Sequence, residues 1–278
     1  MRKILSFLRW NLKITRKFEG LLNYIKNLSK LFNYKKIHYS SNNILKEFES
    51  NAYLKLENKL EVPRVKLENL LGKAKDKAFV DIINDYKTEV SDVFISLMKT
   101  PGVEDAIAGY FNGKPWLWNC ALNYSDPSKA QTSSKMWHFD YGDKKQMHFM
   151  IYMSDVDIES GPFTFLPLDV SANVKRNLFT IERYTDESLL TEKGVDGIKY
   201  QTKLVGDKGD VFMADPGELM HQGARASKPR LVMFVTFTSP APISTGGDST
   251  MSQSFRTDLW NNYQLNHGEG KLTNSTFK

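Results

Sequence analysis

Apolar and polar residues alternate along this chain with two different periods, and the change falls near residue 115. From about residue 43 to residue 100, apolar residues recur every three or four positions, which predicts amphipathic helices. One such series is Val90, Val93, Phe94 and Leu97. Pro101 and Gly102 end this pattern, and a further short helix is predicted over Val103–Tyr110.

Beyond residue 115 the apolar runs are short, rich in aromatic and β-branched residues, and bounded by Gly, Pro, Asp or Ser, which predicts β-strands. These runs are PWLWNCALNY, MHFMIYM, PFTFLP, GDVFMAD and RLVMFVTF. Helices followed by strands favour an α+β protein, in which N-terminal helices support an antiparallel sheet or barrel. The polar, charged stretch 169–197 lies between strand-like runs, and we expect it to be an irregular lid or substrate loop.

With 278 residues the chain is long enough for one large domain or two small ones. The pattern favours a basic helical arm over residues 1–42 and a single domain over residues 43–278. Within that domain we expect a helical support (43–110), a barrel (115–240) and a C-terminal extension (241–278).

Positive charge is concentrated at the N-terminus of the chain. Residues 1–36 contain ten Lys and Arg residues and one acidic residue, whereas the remainder has 28 basic and 31 acidic residues. The body of the protein therefore lacks the basic excess of a nucleic-acid binder. Charged residues interrupt every apolar stretch of the arm, so neither a transmembrane helix nor a signal peptide is expected.

The arm also has one apolar face with helical spacing, formed by Leu21, Ile25, Leu28 and Phe32. We favour a helix packed on the domain with a solvated lysine face. The alternative is a basic amphipathic helix in peripheral contact with an anionic membrane. The single cysteine, Cys120, excludes an internal disulfide and a cysteine-rich zinc site, and it is interpreted as a core residue. This cysteine usage fits a reducing compartment, and a cytoplasmic location is expected.

The segment WHFDYGDKKQMHFMIYMSDVDIESGPFTFLP places His138 and Asp140 two residues apart. In a strand, residues i and i+2 project to the same face, so both side chains would point into a barrel. Two histidines and one carboxylate form the facial triad of non-haem Fe(II) oxygenases. This pair would supply two of the three ligands, although a surface histidine near an aspartate is the commoner origin of such a pair.

A third ligand has to come from a strand that is adjacent in space. The other histidines are His38, His148, His221 and His267. His221 ends the run GDVFMADPGELMH, a strand followed by a turn, and Arg230 begins the next strand nine residues later. An antiparallel return of that length would bring Arg230 back toward a metal, where a guanidinium can bind a carboxylate through two hydrogen bonds.

The segments WHFD, IYMSDVDIESGPFTFLP, GDVFMADPGELMHQG and PRLVMFVTF resemble the phytanoyl-CoA dioxygenase-like family of Fe(II)/2-oxoglutarate oxygenases. AIAGYFNGKPWLWNCALNYSDP is similar to the region that precedes the first ligand in bacterial members, so the resemblance covers about residues 106–240. It implies a double-stranded β-helix, which is a jelly-roll or cupin-like barrel of two antiparallel sheets.

The resemblance implies a role for five residues. His138, Asp140 and His221 match the iron ligands, and Arg230 matches the residue that binds the distal carboxylate of 2-oxoglutarate. Asn123 is expected to form a hydrogen bond to this co-substrate. Arg225 is a rival of Arg230, but it lies within the turn before the strand.

The chain departs from the family pattern at two places. LPLDVS follows the Gly-Pro turn where many relatives have Pro-Gly-Ser-His, which leaves the substrate open. His148 stands where several relatives have lysine, so it is either a contact to substrate or co-substrate or a hydrogen-bonded core histidine.

The resemblance implies a dioxygenase that uses O2 and 2-oxoglutarate, releases succinate and CO2, and hydroxylates a small molecule. Hydroxylation is favoured over halogenation because Asp140 is present. The basic arm favours an anionic or lipid-linked substrate. Two alternatives stay open: a catalytically retired barrel that binds a ligand or partner, and a cupin-like metalloenzyme with different chemistry.

Overall fold

A computed structural model describes residues 42–74, 77–112, 115–127, 133–140, 142–143, 145–174, 182–223, 225–239, 255–256 and 258–263. Its helices are α1 (Asn43–Asn51), α2 (Lys87–Lys99), α3 (Val103–Tyr110), α4 (Leu168–Asn173), α5 (Asp186–Lys193) and α6 (Gly197–Tyr200). Its strands are β1 (Tyr53–Lys55), β2 (Val80–Asp81), β3 (Trp116–Ser125), β4 (Trp137–His138), β5 (Gln146–Tyr152), β6 (Thr164–Phe165), β7 (Arg183–Tyr184), β8 (Thr202–Lys203), β9 (Val211–Ala214), β10 (His221–Gln222) and β11 (Arg230–Thr238). The predictions for the basic arm, and most of those for the C-terminal extension, lie outside the described residues.

The strands form two antiparallel sheets. The major sheet has six strands in the order β1-β9-β5-β11-β3-β2, and the minor sheet has five in the order β7-β4-β10-β6-β8. A core cluster contains residues of both, including Phe165 from β6 and Phe212 from β9, so the sheets pack face to face. The predicted α+β class and double-stranded β-helix are confirmed.

The long strands of the major sheet separate two environments. In β11 the odd-numbered residues pack in the same core cluster as α2 and α3, whereas Val232 and Phe234 face the minor sheet. Cys120 on β3 lies on the helix side and is fully buried, as expected for a core residue. The alternation therefore gives the sheet one apolar face against the helices and one face toward the barrel interior.

Two of the predicted helices form where the sequence places them. The apolar face of α2 is buried against the sheet, and its members are Val90, Val93, Phe94, Leu97 and Met98. Gly102 takes a left-handed conformation (φ 82°) between α2 and α3, which a glycine adopts without steric cost. The short helix α3 spans the predicted residues.

The helical prediction is wrong between α1 and α2. This segment contributes β1 and β2 to the two edges of the major sheet, with single 3-10 turns at Leu67–Leu70 and Ile83–Asp85. The backbone of both strands pairs with strands of the sheet that are distant in sequence. Leu54 is the register partner of Met213 on β9, and Val80 is the register partner of Tyr124 on β3. Tertiary pairing overrides the helical spacing.

The expected irregular loop 169–197 is also corrected, because it contains α4 and α5. Helix α5 begins with a capping box between Thr185 and Ser188 and ends at Gly194, whose φ is 67°. Leu189 is the only buried residue of α5, so no periodic apolar pattern indicates the helix.

Within the described ranges, no helix combines the length and apolarity needed to cross a bilayer.

Candidate metal centre

The minor sheet brings His138 and His221 side by side. His138 on β4 and His221 on β10 are register partners in an antiparallel pair, and their ring centroids are 4.3 Å apart. Asp140 follows β4, where its backbone N–H donates to the Pro216 carbonyl (2.8 Å). Its Oδ1 lies 3.6 Å from His138 Nε2 and 4.0 Å from His221 Nε2. Donor atoms of all three residues thus fall within 4.8 Å of one another, a separation that one metal ion can bridge.

Backbone carbonyls fix the orientation of both imidazole rings. Nδ1 of His138 lies 2.7 Å from the Met136 carbonyl oxygen, and Nδ1 of His221 lies 3.1 Å from that of Leu219. A carbonyl oxygen only accepts, so each Nδ1–H is the donor and each Nε2 keeps its lone pair. Second-shell contacts of this kind orient metal-binding histidines in proteins. Phe163 stacks on the His221 ring at 5.0 Å and restricts it further.

The enclosed site holds each ligand in its metal-binding protonation state. Burial lowers the pKa of His138 to about 3, and it also lowers the pKa of His221. Burial alone would raise the pKa of Asp140, but the neighbouring His221 and His138 hold it below its usual range. At neutral pH the centre therefore presents two neutral imidazoles and one carboxylate.

The three residues line a cavity of about 270 Å³ between the two sheets. Arg230 and Asn123 line the same cavity from β11 and β3. Arg230 is 7% exposed, and its Nη1–H donates to the Gly161 carbonyl (2.6 Å) while Nε has no partner. Asn123 Oδ1 is also buried without a partner. No carboxylate of the described residues forms an ion pair with Arg230, so an anion in the cavity would have both donors and space.

Arg225, the rival of Arg230, binds residues outside the cavity of the three ligands. Its guanidinium forms an ion pair with Asp186 of α5 and a hydrogen bond with Gln222, and it lines a separate cavity of about 210 Å³. Asp186 in turn accepts a hydrogen bond from Trp137 Nε1 (2.7 Å). Arg225 thus connects the minor sheet to α5, whereas Arg230 lines the cavity of the three ligands.

His148 lies on β5 beside the centre. Its Nε2 is 3.9 Å from Asp140 Oδ2 and has no hydrogen-bond partner, and burial lowers its pKa to about 4. It lines the cavity together with the three ligands. Because Nε2 has no hydrogen-bond partner among the described residues, His148 is not the fully hydrogen-bonded core histidine of the second interpretation.

Sequence reasoning missed several polar or aromatic residues of the cavity wall, among them Trp118, Asn119, Lys135 and Arg183. A register irregularity between Thr236 and Phe237 displaces the pairing of β3, and the adjacent residues Trp118 and Asn119 both line the cavity. Strict alternation would have excluded one of them. Lys135 precedes His138 by three residues, and no periodicity signals its position.

No family model matches the chain, and no curated protein matches it. Among solved structures, EctD from S. alaskensis with bound Fe has a TM-score of 0.47 and 16% identity, covering 78% of this chain and 88% of that one. HygX from Streptomyces hygroscopicus with nickel and 2-oxoglutarate bound has a TM-score of 0.47 and 13% identity, covering 73% and 88%. SnoN, a non-heme alpha ketoglutarate dependent epimerase from nogalamycin biosynthesis, has a TM-score of 0.42 and 12% identity, covering 70% and 81%. Likeness this distant assigns no reaction or substrate to the present chain, so function has to be inferred from the site.

Proposed function

We propose that this protein is an Fe(II)- and 2-oxoglutarate-dependent dioxygenase that hydroxylates a small molecule. The observation that carries the proposal is the position of a His–Asp–His cluster and a buried, carboxylate-free arginine in one cavity. The cluster supplies a metal site, and the arginine supplies a place for an acidic co-substrate.

The donor set fits Fe(II). His138, His221 and Asp140 offer two nitrogens and one oxygen, and such a triad leaves coordination positions open for other ligands. Bound there with 2-oxoglutarate, the iron would supply the activation of O2, with release of succinate and CO2. The carboxylate of Asp140 is ionised and both Nε2 atoms are unprotonated, so the residues need no proton transfer before they bind the metal.

Arg230, in the wall of the same cavity, fits the distal carboxylate of 2-oxoglutarate. Arg230 has an unpartnered Nε–H in a buried position, and a guanidinium holds a carboxylate through charge-assisted hydrogen bonds. Asn123 lines the same cavity, and its side-chain N–H groups would donate to the oxygens of the co-substrate.

Apolar side chains complete the cavity wall. Phe163 stacks on His221 and Phe234 lines the wall from β11. The cavity volume of about 270 Å³ suits small molecules rather than a polymer chain.

The test is succinate formation from 2-oxoglutarate by purified protein supplied with Fe(II), O2 and a panel of small substrates. We expect iron-dependent succinate release, which continues slowly even without the right substrate. Arg230→Met should raise the KM for 2-oxoglutarate by about 100-fold, because it removes a buried charge-assisted hydrogen bond.

Arg64→Met is the control, because Arg64 is exposed and does not line this cavity. It should leave the KM for 2-oxoglutarate nearly unchanged. If wild-type protein binds neither Fe(II) nor 2-oxoglutarate, the proposal is wrong and the catalytically retired barrel becomes the better interpretation.

A further inference from the structure

Lys135 lies in the cavity wall in a position that is unusual for a lysine. The residue is 3% exposed and precedes β4, and its side chain lines the same cavity as Arg230. Its backbone is held on both sides: the Ser134 carbonyl accepts from Gly223 N–H (2.6 Å), and the Lys135 carbonyl accepts from Arg225 Nε–H (3.3 Å). Lysines are almost never this buried unless they are paired.

No described residue pairs with the Lys135 ammonium, either as an ion pair or as a hydrogen-bond acceptor. Asp126 is the nearby acid, and its carboxylate already accepts from Gly72 N–H (2.9 Å), Ala74 N–H (2.8 Å) and the Tyr124 hydroxyl (2.8 Å). Burial lowers the pKa of Lys135, the positive charge of Arg230 lowers it further, and the negative charge of Asp126 acts in the opposite direction. Two enclosed cations therefore repel each other across the cavity.

Lys135 lies close enough to Arg230 and Asp126 for both of their charges to act on it. Arg230 is the register partner of Ser125, the residue before Asp126, and Gly223 begins the connection that leads from β10 back toward Arg230. The cation whose charge acts on all three candidate metal ligands is instead Arg183. The charge of Arg230, in contrast, acts on Lys135.

A like-charged buried pair is costly unless an anion compensates both members. We propose that Lys135 and Arg230 together bind the distal carboxylate of 2-oxoglutarate, so that Lys135 is a specificity residue for a dicarboxylic keto acid. This inference rests on the proposed function. It explains why the wall carries a second cation that lacks a protein partner among the described residues.

The proposal is tested by direct binding, independently of turnover. Isothermal titration calorimetry of the full chain loaded with Mn(II), without O2, compares 2-oxoglutarate with 2-oxovalerate, which has a methyl group in place of the distal carboxylate. Lys135→Met should weaken 2-oxoglutarate binding by about 10- to 100-fold, the range of one charge-assisted hydrogen bond. Binding of 2-oxovalerate should change by less than about twofold, because the contact does not exist for that ligand.

A second readout separates ligand binding from a structural role. Without ligand, Lys135→Met should unfold at a temperature equal to or higher than the wild type, since it removes a buried charge that has no ion-pair partner among the described residues. Lys135→Arg should recover part of the 2-oxoglutarate affinity. Lys135→Gln, which also removes the charge, replaces Lys135→Met as the test if the latter fails to fold, and it should weaken 2-oxoglutarate binding in the same way. Lys203→Met, which removes a lysine outside this cavity, is the control and should bind both ligands normally.

The outcomes distinguish this inference from the proposed function. If 2-oxoglutarate binds normally to Lys135→Met but weakly to Arg230→Met, the function stands and the role of Lys135 is wrong. Equal losses for both ligands, or a loss confined to the substrate, would also overturn that role. If the wild type does not bind 2-oxoglutarate at all, both proposals fail.

Discussion

The two faces of the major sheet are built from the same strands but differ in composition and in role. On the helix face, β11 contributes Leu231, Met233, Val235 and Phe237, all fully buried among apolar neighbours. On the cavity face, the same strand contributes Arg230, which is buried without a carboxylate partner, and Thr236, whose Oγ1 has no hydrogen bond. One face stabilises the fold, and the other holds polar groups whose partners are absent from the described protein.

The contrast extends to the minor sheet. Strands β3, β5 and β11 of the major sheet run for seven to ten residues, whereas β4 and β10, which carry the two candidate histidine ligands, have two residues each. Long strands form a rigid wall, and the short strands bring functional side chains against it. Substitutions on the two faces should therefore separate stability from function.

The largest effect is expected from Asp140→Ala, on the cavity side. Loss of the only carboxylate of the triad leaves two imidazoles to hold the ion, so succinate formation should fall by about 1,000-fold or more. Metal content after dialysis should fall in parallel, while the circular dichroism spectrum stays unchanged. Glu192→Ala, an exposed acidic residue of α5, is the control. Retention of metal and activity in Asp140→Ala would contradict the assigned centre.

Phe237→Ala, on the helix face, should reduce stability and leave metal binding intact. Phe237 is fully buried and packs edge-to-face on Phe149 and Trp260, with centroids 6.1 and 5.8 Å away. Truncation should lower the free energy of unfolding by about 3–5 kcal/mol, measured by urea denaturation. The fraction that remains folded should bind metal with unchanged stoichiometry. Loss of metal binding in that fraction would show that the two faces are coupled.

Acid should destabilise the metal-free protein through the cavity histidines. The folded-state pKa is about 3 for His138 and about 4 for His148, below the ordinary value of 6.5, and burial is the main cause. The stability that these neutral histidines contribute is therefore fully present above pH 6.5 and is lost as the pH falls from there toward 3. In this range the histidines of the unfolded chain bind protons, whereas those of the folded protein stay neutral. Asp215 opposes this trend, since burial raises its pKa to about 6 and its contribution is lost as the pH rises through that value.

Two histidines act against this one carboxylate, so the net effect of acid is destabilising. The urea concentration at the unfolding midpoint of the metal-free protein should therefore decrease as the pH is lowered from 7 to 5. His148→Gln should reduce the slope, because one of the groups that binds protons on unfolding is removed. An unchanged midpoint over this interval would contradict the buried, neutral state of the imidazoles.

The smallest effect is expected from Thr236→Val on the cavity face. The Thr236 hydroxyl is buried without a partner, so an isosteric apolar side chain should be neutral or stabilising by up to about 1 kcal/mol. Thr238→Val on the same strand is the matched control, because Thr238 Oγ1 donates to the Ser239 carbonyl (3.1 Å). The control should be destabilised by about 1 kcal/mol in thermal unfolding. Equal effects of both substitutions would show that Thr236 has a partner after all.

Much of the barrel could be predicted from the sequence, because its strands differ in composition from the helices. The runs containing Cys120, His148 and Arg230 form the long strands where short, aromatic-rich segments predicted them. The prediction was wrong where helical spacing is shared by edge strands and 3-10 turns, around Leu54 and Val80, because local periodicity does not report pairing with distant strands.

The sequence by itself determined which chemical groups are present and which local face each occupies: His138 and Asp140 are two residues apart, and Arg230 opens a strand nine residues after His221. The tertiary structure alone decided that His221 is the register partner of His138, that Arg225 is occupied by Asp186, and that Lys135 faces the cavity without a described partner. Spacing along a chain fixes side-chain direction within one element, whereas distances between elements depend on sheet register and packing, to which residues far apart in sequence contribute jointly.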